Sequence, residues 1–402
     1  MSIHTEFLDA LTPSAIRAIT ARIRDKKHAG VCVVNFAGGM PDESTFPTEE
    51  FAKITADILR QEGGSALQYA ASDGYDPLRQ TIAHLMERFS VTTDYKNILI
   101  TCGSQQALSY LSRSLLQPGD VVLCEKPSYV GALDTFQTQK AEVIGVDMDG
   151  EGMRMDVLEE LLCKHHPRFI YTIPDFQNPT GRSMSQSRRK KLVELAERYD
   201  TYIIEDAPYS LISFSGQIAP AIKSYDYCDR VFYLGSFSKT ICPGIRLGWV
   251  VANTDTLRQL IYLKMRDDLQ VSNLSQRQAD RFLREYDFEG HLRSIRAKYA
   301  ARRDCMLQAI RDSFPEGCDV VEPQGGIFLW LSLPEGLDAN AAFDVVFEEN
   351  LAFVPGTFFY PDRSGANTLR LNFCTNDVEV IDCEIRKMGE LLRRFAKDKG
   401  KV

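Results

Sequence analysis

The sequence has no apolar stretch approaching the roughly 20 residues that a membrane-spanning helix requires. Its start, Met1 to Phe7, lacks the charged-then-apolar pattern of a secretory signal, so the chain is expected to stay in the cytoplasm. It also lacks an excess of basic residues: 47 Lys and Arg stand against 55 Asp and Glu, a net charge of -8. An acidic surface speaks against a nucleic-acid or anionic-membrane partner, either of which needs a basic face. A small basic pocket for anions remains compatible with it. No C-x-x-C pair occurs among the ten cysteines, and Cys102, Cys124, Cys242 and Cys374 sit in apolar or motif contexts. Buried free thiols in a reducing compartment are expected, rather than disulfides or a zinc site, and no metal is expected. No internal repeat or low-complexity tract is visible.

What is present is an ordinary soluble balance, 44% hydrophobic and 25% charged, over 402 residues. That length exceeds one simple core and suits two closely packed domains. Residues 1–45 read as an N-terminal arm, an amphipathic stretch followed by the turn Gly38-Gly39-Met40-Pro41. Residues 46–285 read as a large α/β domain. Within it, short apolar runs such as Ile98-Leu99-Ile100, Val121-Val122-Leu123-Cys124, Phe169-Ile170-Tyr171-Thr172-Ile173, Tyr202-Ile203-Ile204 and Val231-Phe232-Tyr233-Leu234 alternate with helical patterns. The helical faces include Ala107, Leu108, Leu111 and Leu115, and then Leu192, Leu195, Ala196 and Tyr199. The alternation implies a mainly parallel sheet covered on both faces. Residues 286–402 read as a smaller α+β domain, opened by a charged helical stretch (Arg293, Lys298, Arg302, Arg303). Its clearest strands are Gly326 to Leu331 and Leu369 to Phe373.

Parallel sheets bind ligands beyond the carboxyl ends of their strands. The unusual residues gather there: Gly103-Ser104-Gln105, Asn178-Pro179-Thr180-Gly181, Asp206 with Tyr209, and Ser236, Ser238 and Lys239. Taken alone, Lys239 in Gly235-Ser236-Phe237-Ser238-Lys239-Thr240 reads as a surface lysine at a strand end. Arg246, seven residues on between Gly244 and Gly248, changes that reading. Two serines and an arginine would hold a phosphate, and a lysine deprotonated by its surroundings can form a Schiff base. The glycine turn at 103 would add an anion site at a helix N-terminus, a pattern many strand-to-helix turns share. Asp206 fits a helix N-cap or a solvated carboxylate. The functional reading is a carboxylate facing a pyridinium nitrogen, the partner of pyridoxal 5'-phosphate in lysine Schiff-base sites. Tyr209 and Asn178 could then reach the phenolic oxygen of that ring. Tyr129 is either an ordinary core tyrosine or a residue stacked on the ring face.

The ordered set resembles the pyridoxal-phosphate aminotransferases of fold type I, class I and II. It comprises Ser236-Phe237-Ser238-Lys239-Thr240 with Pro243-Gly244-Ile245-Arg246-Leu247-Gly248-Trp249, Asn178-Pro179-Thr180-Gly181, and Asp206 with Tyr209. Further matches resemble the subgroup containing 2-aminoadipate and multi-substrate aminotransferases. They are Phe36-Ala37-Gly38-Gly39-Met40-Pro41, Leu67-Gln68-Tyr69, Phe176-Gln177, Leu274-Ser275-Gln276, Gly325 to Trp330, Phe353-Val354-Pro355-Gly356 and Thr368 to Phe373. The resemblance covers nearly the whole chain. It implies an aspartate aminotransferase-like fold with a large domain, a small domain and an arm.

The resemblance implies that Lys239 is the Schiff-base lysine, that Asp206 meets the pyridine nitrogen, and that Asn178 and Tyr209 meet the phenolic oxygen. It implies that Tyr129 stacks on the ring and that Ser104, Gln105, Ser236, Ser238 and Arg246 hold the phosphate. Tyr69 resembles the tyrosine that reaches the neighbouring subunit's phosphate, which implies a homodimer with shared sites. Arg370 resembles the clamp on the substrate α-carboxylate, and Gly39 lies where the backbone touches substrate. Arg17 fits a residue presented to the substrate side chain, or a solvated helix arginine. Two departures stand out: Cys374 replaces a common serine after Arg370-Leu371-Asn372-Phe373, and Ser236 replaces a common threonine.

The implied activity is a ping-pong transfer of the amino group of an L-amino acid to a 2-oxo acid, with 2-oxoglutarate the expected acceptor. A β-lyase, decarboxylase or racemase on the same scaffold is the alternative. A regulatory module behind a DNA-binding domain is disfavoured, since the arm starts within the first twenty residues. A non-enzymatic structural protein would not need Lys239, Asp206 and Arg370 together.

Overall fold

The structure, a computed structural model, describes residues 15–400. The first fourteen residues of the arm, including the start read above for a signal, lie outside the described residues, as do 401 and 402. Twelve α-helices are described, together with sheets of eight, four and two strands.

The eight-stranded sheet runs, in spatial order, through Ile98–Thr101, Gly248–Val251, Val231–Ser236, Tyr202–Asp206, Phe169–Thr172, Val121–Lys126, Glu142–Asp149 and Gly152–Met153. The five from Val231–Ser236 to Glu142–Asp149 are mutually parallel. Gly248–Val251 runs against both of its neighbours. The central strands are buried along nearly their whole length, which is why they read as unbroken apolar runs. Helices such as Ser104–Leu115 and Gln186–Arg198 bury one apolar face each and leave the other to solvent. Six strands of this sheet, Ile98–Thr101 included, end on one edge. Gly103, Tyr129, Asn178, Asp206 and Lys239 all follow or close strands at that edge.

The four-stranded antiparallel sheet orders Asp319–Val320, Phe328–Ser332, Thr368–Asn372 and Val354–Pro355. Arg370 sits on an inner strand of it, opposite Trp330 on one side and Val354 on the other. The arm is stitched to this part of the chain. Val34–Asn35 pairs in parallel with Leu351–Ala352, and Lys26 on the helix Ala15–His28 donates to the Asn350 side chain at 2.7 Å. This pairing carries the following segment, Ala37 to Met40, across to Arg370.

The charged helical stretch is the helix Phe288–Ser313, within which Arg302 and Arg303 are buried. Arg302 is held by Asp42 and Asp377, residues far away in sequence that local pattern does not reveal. The ten cysteines are all free, but only Cys124 and Cys374 are buried, while Cys32, Cys163 and Cys383 are exposed.

Candidate active site

A cavity of about 720 Å³ lies between the strand edge and the small sheet. Thirteen of the fourteen residues singled out from the sequence line it: Arg17, Gly39, Ser104, Gln105, Tyr129, Asn178, Asp206, Tyr209, Ser236, Ser238, Lys239, Arg246 and Arg370. Tyr69 does not; its side chain stands 77% exposed on the surface.

One end of the cavity is built for an anion. Gly103, at φ 79°, caps the helix Ser104–Leu115 and leaves its first N–H groups pointing outward. The left-handed turn favours glycine, and a Cβ there would lie 2.8 Å from the Arg246 guanidinium. Gly248 is needed for a different reason: a Cβ on it would lie 2.6 Å from the Ser104 nitrogen. The Ser236 hydroxyl donates to the Ser238 hydroxyl at 3.0 Å, so both oxygens face the same space. Arg246 donates to the Cys102 carbonyl at 3.0 Å, which aims its guanidinium at the turn. Gln105 is spoken for in part. Its amide donates to the Thr135 hydroxyl at 2.8 Å and accepts from the Tyr129 hydroxyl at 3.2 Å, so its side chain braces Tyr129.

At the floor, Asp206 is 3% exposed. Its Oδ2 accepts a 2.8 Å hydrogen bond from the Tyr171 hydroxyl, while its Oδ1 has no partner among the described residues. Burial pushes this carboxyl up to about 6, against the pull of the Tyr171 bond. A buried acceptor left open at the wall of a cavity is expensive unless a ligand donates to it. Lys239 has the complementary property. Burial, with help from Arg370 and Arg246, brings its amine down to about 8, so a nucleophilic neutral fraction exists near neutral pH. In the protein alone its Nζ donates to the Gly39 carbonyl. Tyr209 packs edge-on against Phe328 with ring centroids 6.0 Å apart.

Arg370 is 1% exposed. Its Nη1 donates to Asn178 Oδ1 and its Nη2 to the Ala37 carbonyl, each at 2.8 Å. Its Cζ lies 3.9 Å above the Phe328 ring centroid and 5.0 Å from that of Phe359. Among the described residues no carboxylate pairs with it, and its Nε has no acceptor. Burial lowers the guanidinium to about 10. The structural salt bridge that could have explained a buried arginine is therefore absent among the described residues. Cys374, the departure noted in the sequence, is buried with its thiol against the Met40 carbonyl at 3.1 Å, and its own backbone carbonyl holds Arg302.

Sequence reasoning missed Tyr171 and Thr135. Thr135 lies on the helix Val130–Thr138 that Tyr129 caps, six residues on, and no short-range spacing marks it. Tyr171 was visible only as one more apolar strand residue. Its bond to Asp206 depends on the register of two neighbouring parallel strands, Tyr171 opposite Ile204, which no local pattern encodes.

An anion cradle, an open buried carboxylate and a desolvated lysine, set around one cavity with a buried unpaired arginine, define a pyridoxal-phosphate enzyme acting on a carboxylate-bearing substrate. The donor set fits the cofactor end to end: the turn at Gly103 and the serines suit its phosphate, Asp206 its ring nitrogen, and Lys239 its aldehyde. The chain belongs to the family aminotransferase class I and II, whose profile matches residues 32–383. It is 38% identical over 371 residues to aromatic-amino-acid aminotransferase 1 of Thermococcus litoralis, an alignment spanning 91% of this chain and 89% of that one. Its fold superposes on the multiple substrate aminotransferase of Thermococcus profundus with a TM-score of 0.93 at 36% identity, covering 98% of each chain. It superposes with a TM-score of 0.87 at 35% identity on the alpha-aminoadipate aminotransferase LysN of Thermus thermophilus, solved with N-(5'-phosphopyridoxyl)-L-leucine. That match covers 98% of this chain and all of the other. The protein is a pyridoxal-phosphate-dependent aminotransferase of fold type I, as its motifs implied.

Proposed function

We propose that this aminotransferase moves the amino group of an L-amino acid to 2-oxoglutarate in a ping-pong cycle, both half-reactions sharing one site. The observation that carries the reading is Arg370, a buried guanidinium without a protein carboxylate, in the same cavity as Lys239. A planar guanidinium takes an α-carboxylate by two parallel hydrogen bonds, and every donor and acceptor carries that group.

When bound, pyridoxal phosphate supplies an electron sink for the α-carbon of the substrate. Lys239 would hold its aldehyde and, once freed, would carry the proton from the substrate α-carbon to the cofactor carbon that bore the aldehyde, working on one face. Asp206 would meet the ring nitrogen, Asn178 and Tyr209 would meet the phenolic oxygen, and Tyr129 would stack on the ring. Ser104, Gln105, Ser236, Ser238 and Arg246 hold the phosphate, Gln105 through its backbone, since its amide is engaged with Tyr129 and Thr135. Gly39 offers backbone to the substrate, and Arg17, which also lines the cavity, faces the substrate side chain. With Arg246 given to the phosphate, Arg17 and Arg370 remain in the cavity and suit 2-oxoglutarate, which has a carboxylate at each end. The named activities of the relatives point to aromatic and 2-aminoadipate donors as the first to try. The test is a pair of half-reactions. A donor alone should discharge the visible absorbance of the Lys239-linked cofactor, and 2-oxoglutarate should restore it. Restoration by pyruvate but not by 2-oxoglutarate would overturn the acceptor.

We further propose a cytoplasmic homodimer with composite sites, built from an arm over 1–45, a large domain over 46–285 and a small domain over 286–402. The exposed apolar side chains of Leu67, Tyr69 and Leu269 support the dimer. They lie together because the Ala70 amide donates to the Gln270 side chain. Contiguous exposed apolar surface of this kind marks an interface. Light scattering that finds a fully active monomer contradicts the proposal.

A further inference from the structure

We propose that Tyr171 is a positioning residue for Asp206, holding one carboxylate oxygen so that the other stays aimed and ionised toward the cofactor ring nitrogen. This rests on the reading of Asp206 given above. Tyr171 is fully buried in the strand Phe169–Thr172, with Cys124 opposite it on one side and Ile204 on the other. Its ring packs edge-on against Phe136, centroids 5.5 Å apart at 71°. The strand register sets where the side chain lies, and its hydroxyl reaches Asp206 Oδ2 at 2.8 Å.

Among the described residues no Lys or Arg pairs with Asp206, so the hydroxyl is the one protein group that stabilises its charge. The phenol keeps its proton, because burial and the adjacent carboxylate raise its pKa well above the ordinary value. It therefore always donates. Two consequences follow. The carboxylate cannot rotate freely, which leaves Oδ1 as the single open acceptor. The bond also drains basicity from the carboxylate. A proton shared between the ring nitrogen and Oδ1 then lies closer to nitrogen, where it keeps the ring electron-poor. Without the hydroxyl, the proton moves toward Oδ1.

The experiment loads wild type, Tyr171→Phe, Asp206→Asn and Phe136→Leu with pyridoxal phosphate carrying ¹⁵N in the ring. It records the ring-nitrogen NMR signal at neutral pH, the cofactor Kd, and kcat and KM for one donor. Tyr171→Phe deletes one oxygen and keeps the ring packing. Its signal is expected partway between wild type and Asp206→Asn, with kcat down about ten-fold, the loss a charge-assisted hydrogen bond supports, and KM nearly unchanged. Cofactor Kd should stay within a few-fold, since the phosphate cradle is untouched. Phe136→Leu loosens packing but keeps the hydroxyl, so its signal should match wild type. If Asp206→Asn shifts the signal and Tyr171→Phe does not, the positioning role is wrong and the Asp206 reading stands. A shift in Phe136→Leu equal to that in Tyr171→Phe overturns the role in favour of packing. If Asp206→Asn leaves the signal in place, the Asp206 reading itself fails.

Discussion

Replacing Arg370 by lysine should weaken every amino donor and every oxo acid by the same factor. In the protein alone the guanidinium makes two 2.8 Å bonds, to Asn178 and Ala37, and its Cζ lies 3.9 Å from the Phe328 ring centroid. Lysine keeps a charge but offers a point donor where a planar fork stood, and it cannot stack on the ring. One charge-assisted bond is worth about 1.5–3 kcal/mol, roughly a ten- to hundred-fold fall in kcat/KM. Burial adds a pH signature. It lowers Arg370 from 12.5 to about 10, which still leaves the group charged at pH 8. A lysine starting near 10.4 and lowered by a similar amount would come down to about 8. The variant should therefore lose further activity between pH 7 and pH 9, where the wild type at this position does not. The assay is kcat/KM for an acidic, an aliphatic and an aromatic donor at both pH values, beside Arg17→Ala. Arg17→Ala should discriminate among side chains. If Arg370→Lys impairs the acidic donor alone, Arg370 reads side chains and the assignment is wrong.

Asp206→Ala should lose kcat by on the order of a hundred-fold or more, as removal of a preorganised electrostatic partner does, while cofactor Kd rises far less. Near-normal turnover refutes its role. Gly248→Ala should drive a methyl group into the backbone at Gly103 and Ser104, 2.6 Å from the Cβ position, costing about 1–3 kcal/mol and weakening cofactor binding. An unchanged cofactor Kd counts against the turn as the phosphate site. Glu125 is buried, with no cationic partner among the described residues, accepting from Thr172, Ile173 and Gln177, and burial raises its carboxyl from 4.5 to about 7. Between those values the folded protein holds a proton that the unfolded chain has released. Glu125 therefore penalises stability progressively as pH rises through that window, by on the order of 3 kcal/mol. Glu125→Gln should flatten the fall in urea midpoint between pH 5 and pH 7.5, and identical slopes in both proteins refute this.

The site was legible in the sequence because its chemistry sits where short-range pattern and long-range order coincide. Lys239, Asp206 and Asn178 each follow or close an apolar strand. A parallel sheet must bring such strand ends to one edge, whatever the order of the strands. Arg370 was legible for an energetic reason, since an arginine in an apolar strand demands an anion. The fold class followed from the same alternation of strand and helix. What stayed hidden are contacts set by register and tertiary packing. The pairing of Val34–Asn35 with Leu351–Ala352 joins segments more than three hundred residues apart, and neither two-residue strand has a period to read. The burial of Arg302 could not be read locally, because its partner Asp42 lies 260 positions away.

The contacts of Gln105 and Tyr171 place hidden hydrogen bonds at the candidate site as well as in the core. Each supports a residue that the sequence did reveal: Gln105 braces Tyr129, and Tyr171 holds Asp206. A motif names the groups facing a ligand, because only certain side chains can do that chemistry. The residues behind them need only supply one donor or acceptor at the right point, and many side chains and many chain positions can do so. Tyr171 meets that need from the neighbouring strand, and Glu125 does so from the next one over, tying Thr172 and Gln177 beneath Asn178. Rigidity at the cavity floor thus comes from hydrogen bonds between strands, whose register the sheet as a whole fixes. Substitutions behind the visible motif should therefore alter rates with modest effects on cofactor retention, because the phosphate cradle at Gly103 is built from backbone on a different strand.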